Sequence, residues 1–418
     1  MATGPAIDSR IRRYFLFQVL WSFELWHPFW TLWLLQNLRN DFFAATLVDV
    51  VFWLVGLLFA MPAGALADRY GRKPALVFGI VLWNVGVVLF GLAGSLPAFA
   101  LANAAWAFGA AFMFSCGSAY LYDTLAEGGQ EGRYPREVSS ATLLGFLATA
   151  AGCAIGGIVV TATRSFQVSL LLNVVTGIAA IGTALTFREP SVHRLAASNL
   201  LAQIRTGLRI TRDDRQIVFL ILFQVLVGIV TYVMAFFRAP YMQALVAGDF
   251  LVLGLAFAGF FAVAAAAGIS FEKILNRLGE TGALVLTFLL VFPPFAAVYI
   301  VSLGVFSPGF ALLVGVLTQI CFYIIWGLES PVVTTIINRR VLSSDRATVL
   351  SVSTFFTTLA IAIMEPIVGL LAATYDLAVG LTILAGIAAI PSAYAVVAYR
   401  AAGAKAGRSS AAATSAKR

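Results

Sequence analysis

Away from the extreme ends of its long apolar runs, this chain carries five charged side chains, Glu24, Asp49, Arg238, Glu329 and Glu365, and one histidine, His27. Such groups are costly in hydrocarbon. They face a bundle interior or a wet cavity and mark pathways for protons, ions or substrates. Glu24 lies near the middle of its run and His27 follows at i+3, on the same face of a helix. A carboxyl beside an imidazole can take up a proton and pass it on, so Glu24 is the leading proton-carrier candidate and His27 its tuner. A structural Glu–His bond that pins the segment is the plainer alternative. Trp26, Trp30 and Trp33 lie close by, and aromatic faces beside a buried acid suit a flat or cationic ligand. Arg238, near the outer end of its run, is expected either to pair with Asp49 as a gate or to snorkel as an anchor. Glu365 precedes Pro366 at an expected kink. Glu329 belongs to Gly327-Leu328-Glu329-Ser330-Pro331, and either acid could bind a proton, a substrate or an arginine.

The elements that must position these residues are membrane spans. Of the 418 residues, 61% are hydrophobic and 11% charged, against roughly 25% charged in an ordinary soluble domain. Twelve apolar runs approach the ~20 residues that cross hydrocarbon. They cover 14–37, 43–66, 74–94, 98–122, 138–161, 166–187, 216–240, 248–270, 281–303, 309–331, 346–372 and 375–399. The runs are continuous rather than alternating, which excludes a β-barrel reading. With the N-terminus in the cytoplasm, 24 of the 27 Lys and Arg residues fall on the cytoplasmic side, and only Arg39, Arg164 and Arg238 do not. That bias predicts cytoplasmic termini. It also assigns the net charge of +8 to loops facing anionic lipid rather than nucleic acid. The first run imitates a signal peptide but is too long, and no small-residue cleavage site follows it; a retained span is expected.

The longest internal loop, 188–215, divides the chain into bundles 1–187 and 216–399, with a disordered basic tail expected over 400–418. Leu200, Leu201, Ile204 and Leu208 keep helical spacing and predict a short interfacial helix in the loop. Cys116, Cys153 and Cys321 lie inside spans without metal spacing, so neither disulfides nor a metal is expected. No phosphate-binding loop or nucleophile–base arrangement is present, and no cofactor or enzymatic activity is expected.

Between the second and third runs stands Gly64-Ala65-Leu66-Ala67-Asp68-Arg69-Tyr70-Gly71-Arg72-Lys73, with four charges in its last six residues. This string resembles the loop 2–3 signature of the major facilitator superfamily, G-x-L-A-D-R-x-G-R-[KR], at every defined position. Leu278-Gly279-Glu280 echoes it in the second half. The resemblance implies an all-α membrane protein of twelve transmembrane helices in two six-helix bundles. It also implies that Asp68 is a conformational lock against the N-terminus of span 11, near residues 343–346. Gly64 would then allow close helix approach, Gly71 the tight turn, and Arg69, Arg72 and Lys73 would meet phosphates or carboxylates. Span 5 carries Gly152-Cys153-Ala154-Ile155-Gly156-Gly157, similar to the family's antiporter motif, though Cys153 takes the proline place and Ala148 that of the first glycine. Small residues there allow close helix packing. Span 4 lacks the arginine usual in drug–proton antiporters and ends in Tyr120-Leu121-Tyr122-Asp123.

The sequence reading is therefore a bacterial inner-membrane secondary transporter, acting as a monomer among membrane lipids on a small-molecule substrate and protons. Four intramembrane acids against one arginine favour efflux of an apolar or cationic molecule. Proton-coupled uptake of a metabolite is the runner-up. A non-transporting lipid-binding or sensor protein on the same fold is the rival of another class.

Overall fold

The computed structural model describes residues 4–191, 209–212, 214–341 and 346–415, and these are helical apart from short connections. The interfacial helix expected over 195–209 falls almost wholly outside them. Ten helices are long and apolar enough to cross a membrane, and they account for eleven of the twelve spans. Span 2 is Phe42–Tyr70, span 3 Arg72–Leu92, span 4 Leu96–Glu127 and span 5 Tyr134–Thr163. Span 6 is Phe166–Leu172 plus Val174–Leu185, and span 7 is Arg215–Leu245. Spans 8 and 9 form one run, Phe250–Ser302, of 53 residues. At 1.5 Å per residue that is about 80 Å of helix, twice a bilayer's thickness, so it must fold back. It turns at Gly279, whose φ of 68° and ψ of 176° are non-helical. Gly71, between spans 2 and 3, has φ 109°. The two loops that resemble one another in sequence thus both turn on a glycine with positive φ. Span 10 is Pro308–Arg340, span 11 Arg346–Thr374 and span 12 Leu377–Ser415. The alanine-rich tail expected to be disordered continues span 12 as helix to Ser415, in keeping with alanine's helix propensity.

Span 1 is the exception. It consists of Gly4–Trp21 and Trp30–Asn37, with turns and extended backbone between them. The single continuous helix expected over 14–37 does not form.

Four of the six even-numbered spans begin with capping side chains at one end of the molecule. Asp41 accepts from Ala44 N at 3.0 Å, Ser165 from Val168 N at 3.4 Å, and Asp249 from Leu251 N and Val252 N at 3.0 and 3.1 Å. Asp376 accepts from Ala378 N at 2.7 Å. Each supplies an acceptor to amides that the helix itself leaves unpaired. We call this the far end, and the opposite one, which carries Gly71, the hairpin end.

Spans 1–6 and 7–12 form two bundles that meet in the far half of the molecule. Phe42 packs on Phe237 with ring centroids 5.8 Å apart, Phe166 on Phe250 at 5.1 Å, and Trp30 on Phe236 at 5.6 Å. Spans 5 and 8 touch backbone to backbone, where a Cβ on Gly157 would lie 3.0 Å from Gly254 Cα. Toward the hairpin end the bundles separate. A Cβ on Gly56 or Gly64 would meet nothing within 4 Å, and Leu58 and Leu66 are exposed. Among the described residues nothing lies within 4 Å of a Cβ on Gly64, so the close helix approach expected there is not made in this arrangement.

Candidate transport site

The break in span 1 puts peptide groups in the bundle interior, where each needs a partner. Spans 5 and 6 supply them. Leu25 N donates to Asn173 Oδ1 at 3.0 Å, and Thr149 Oγ1 donates to Ser22 O at 2.8 Å. Asn173 is available because span 6 is itself interrupted at that residue. Gly152 and Gly156 on span 5 make room: a Cβ on Gly152 would lie 2.7 Å from Glu24 N, and one on Gly156 would overlap Leu25 O. The small-residue motif of span 5 therefore faces unwound backbone of span 1 through Gly152 and Gly156, and span 8 of the other bundle through Gly157.

Glu24 and His27 both lie on this break. Glu24 Oε2 is 2.7 Å from His27 Nδ1, held by a turn in which His27 N donates to Glu24 O at 3.4 Å. The pair forms as the sequence suggests, but not on a helix face. The imidazole meets Phe261 of span 8 edge-on, with centroids 4.8 Å apart. Trp30 starts the second half of the span and packs between Trp106 and Phe236.

Asp49 meets Glu365, not Arg238. Asp49 in span 2 is 9% exposed and Glu365 in span 11 is 0% exposed. Their carboxyl groups face one another across the two bundles. Trp53 Nε1 donates to both, at 3.0 Å to Asp49 Oδ2 and 3.2 Å to Glu365 Oε2. Asn103 of span 4 adds a further polar group against Asp49. Two carboxylates this close repel one another unless a proton lies between them. The pairing expected between Asp49 and Arg238 is not made in this arrangement: Asp49 meets Trp53 and Glu365, and Arg238 meets Gln319.

Arg238 is also no interfacial anchor. It is 2% exposed, and its Nε donates to Gln319 Oε1 of span 10 at 3.2 Å. Its guanidinium carbon lies 4.2 Å from the Tyr323 ring centroid and 5.2 Å from that of Trp326. Glu329 lies on the same helix, span 10, and its side chain is outside the described residues.

The hairpin residues form a network inside the first bundle. Arg72 pairs with Asp68 at 2.6 Å through Nη2 and with Asp123 at 3.1 Å through Nε. Glu189, just after span 6, accepts from Arg72 N at 2.6 Å and Lys73 N at 2.7 Å, capping span 3 with a carboxylate. Gly71 has no alternative here, since a Cβ would lie 2.8 Å from Glu189 Cδ. Arg69 lies against the Tyr70 ring at 5.3 Å. Asp68 thus finds a basic side chain on its own hairpin. Residues 342–345, part of the partner expected for it at the start of span 11, are outside the described residues.

Trp53, Asn103, Asn173, Gln319 and Tyr323 were not singled out by the sequence reading. Asn103, Asn173 and Gln319 carried a usable signal, a neutral amide inside an apolar run, which must find partners there. Trp53 and Tyr323 carried none, because aromatic residues are frequent throughout the spans.

The profile of the Major Facilitator Superfamily matches residues 15–365. The chain is 31% identical over 80 residues to the sialic acid transporter NanX of Escherichia coli strain K12, covering 19% of this chain and 20% of that protein. It is 32% identical over 77 residues to YfiU of Bacillus subtilis strain 168, an uncharacterised transporter of the same type, covering 18% and 15%. Both matches are short pieces of their proteins. Among solved structures, the nucleoside transporter NupG superposes with a TM-score of 0.76 at 12% identity, over 93% of this chain and 99% of that one. A bacterial homologue of the human lysosomal transporter Spinster, inward-facing and unoccupied, gives 0.67 at 17% identity, over 96% and 98%. At such identities the superpositions show a common fold alone. Twelve spans in two bundles, the hairpin string and a profile match over most of the length lead to one conclusion: this chain is a multi-pass membrane transporter belonging to the major facilitator superfamily.

Proposed function

We propose that this transporter couples the movement of a small molecule to protons, and that the Asp49–Glu365 pair carries the proton. One observation supports the reading most: the two carboxyls belong to different bundles and meet where the bundles touch. With a proton between them they attract and hold the far end closed. With both ionised they repel, and in a low-dielectric setting the repulsion is large. Proton occupancy and access therefore change together, which is what coupling by alternating access requires. The positive-inside bias puts the hairpin end in the cytoplasm, so the state described here faces inward.

The direction follows from the charge inventory. The sequence reading favoured cation efflux because acids outnumber arginine in the membrane. In the folded chain Asp49 and Glu365 engage one another, and Glu24 engages His27. Arg238 is buried in its span and forms no ion pair among the described residues. This supports uptake together with protons over efflux of a cation.

Proteoliposomes with an imposed inward proton gradient and a panel of small metabolites test the reading. Gradient-driven accumulation of a panel compound is expected, and Glu365→Gln should abolish it while sparing some exchange. Accumulation by Glu365→Gln at the native rate would contradict the assignment.

A further inference from the structure

Arg238 raises a question that proton coupling leaves open. A buried guanidinium normally has an acid partner, and none pairs with it among the described residues. Its Nη2 has no hydrogen-bond partner. Gln319 Oε1 accepts from Arg238 Nε, and that bond fixes the amide so that Nε2 points the other way. That Nε2 is also buried and unpartnered, and so is the Tyr323 hydroxyl. Gln319 and Tyr323 are both 0% exposed. Three polar groups around one cation are thus unsatisfied, and all three can donate. Burying such groups unpaired is unfavourable, whereas an acceptor with negative charge would satisfy all of them.

The surroundings define the rest of the ligand. The guanidinium lies against both the Tyr323 and the Trp326 rings. Trp326 is half-buried and meets Tyr232, at 5.5 Å between centroids. Tyr232 in turn meets Trp53, the indole that bonds Asp49 and Glu365, at 5.4 Å. An aromatic wall therefore runs from the proton pair to the arginine. Resting on the proton-coupled reading above, we infer that this cluster of donors binds the carboxylate of a small, flat organic acid. The carboxylate is held by Arg238, Gln319 Nε2 and the Tyr323 hydroxyl, and its apolar body lies along Trp326 and Tyr232. Uptake of such an anion with a proton would carry no net charge.

The test is equilibrium binding of radiolabelled benzoate to the full-length protein in detergent, at fixed pH and without a gradient. Unlabelled benzoate should displace the label, and benzamide, of the same shape without the charge, should not. Arg238→Gln should weaken binding at least about tenfold, the scale of a lost charged hydrogen bond. Tyr323→Phe should weaken it by a smaller factor. If Arg238→Gln does not fold, Arg238→Lys and Tyr323→Phe decide, and both should bind more weakly. No saturable benzoate binding at millimolar concentration would overturn the inference, as would equal displacement by benzamide or native affinity in the arginine variants. Any of these failures leaves proton coupling standing, because coupling is read in the separate flux assay.

Discussion

Asp49 of span 2 and Glu365 of span 11 share the indole N–H of Trp53, at 3.0 and 3.2 Å, and so face one another between the two bundles. In the proposed coupling a proton bridges that contact, and removing it turns an attraction between the bundles into a repulsion.

Glu365→Gln and Glu24→Gln separate the two candidate proton sites. Gln keeps the size and an amide but cannot gain or lose a proton. Glu365→Gln should cut gradient-driven flux by about 100-fold or more, the scale of a lost proton-transfer group. Glu24 bonds to His27 inside the first bundle, so Glu24→Gln should keep coupling and change substrate affinity. Initial rates in proteoliposomes, with and without a pH gradient, distinguish the two. Full coupling in Glu365→Gln with none in Glu24→Gln would reverse the assignment.

The hairpin string and the twelve apolar runs were legible because each is local: a motif in ten residues, or a run of one polarity. The acids at 24, 49 and 365 were legible as costly residues inside such runs. Their partners were not. Asp49 meets a residue almost a chain length away, and charge complementarity alone pointed to Arg238. The break in span 1 was hidden for a related reason. Pro28 hints at a bend, but the unwound backbone is stabilised by Asn173 and Thr149 and accommodated by Gly152 and Gly156, all in other spans. Nothing within 14–37 shows that those partners exist.

Gly71→Ala should destabilise the fold through two effects: φ is 109°, and the new Cβ would lie 2.8 Å from Glu189 Cδ. A loss of about 1–3 kcal/mol is expected for a strained backbone position. Adding Glu189→Ala removes the clash but also the cap on Arg72 N and Lys73 N. The double variant should therefore lose less than the sum of the single losses. Thermal unfolding in detergent measures all three variants, and strict additivity would show that the two residues act independently.

Asp68→Asn should leave insertion and stability nearly intact, because Arg72 keeps Asp123 as a partner. Transport should still fall. In this state Asp68 bonds within its own bundle, and the expected lock to span 11 would belong to the other access state. Losing it should shift the access equilibrium by roughly 1–3 kcal/mol, a typical coupling energy. Distances between labels at the hairpin ends of spans 2 and 11 should show more of the open state; unchanged distances with unchanged flux would remove the lock.

Gly156→Leu should prevent stable folding, since even a Cβ there overlaps Leu25 O, and rigid backbone cannot yield as a side chain can. Gly64→Ala should fold normally because its Cβ enters open space. It should slow transport if the second bundle reaches Gly64 when the hairpin end closes. Expression, thermal unfolding and flux of the two variants check this contrast, and equal destabilisation would show the spans 1–5 contact to be misplaced.

The central claim is that proton occupancy of Asp49–Glu365 controls the far end. Spin labels at Asn40 and Ala247, in the far-end connections of the two bundles, report it directly once Cys116, Cys153 and Cys321 are replaced by Ser. Pulsed electron–electron distances are recorded across a pH series. The far end of the otherwise native protein should be closed at low pH and widen as pH rises and the bridging proton is lost. With Asp49→Asn and Glu365→Gln together, the distance should stay short at every pH. The same pH-driven widening in that variant would contradict the account.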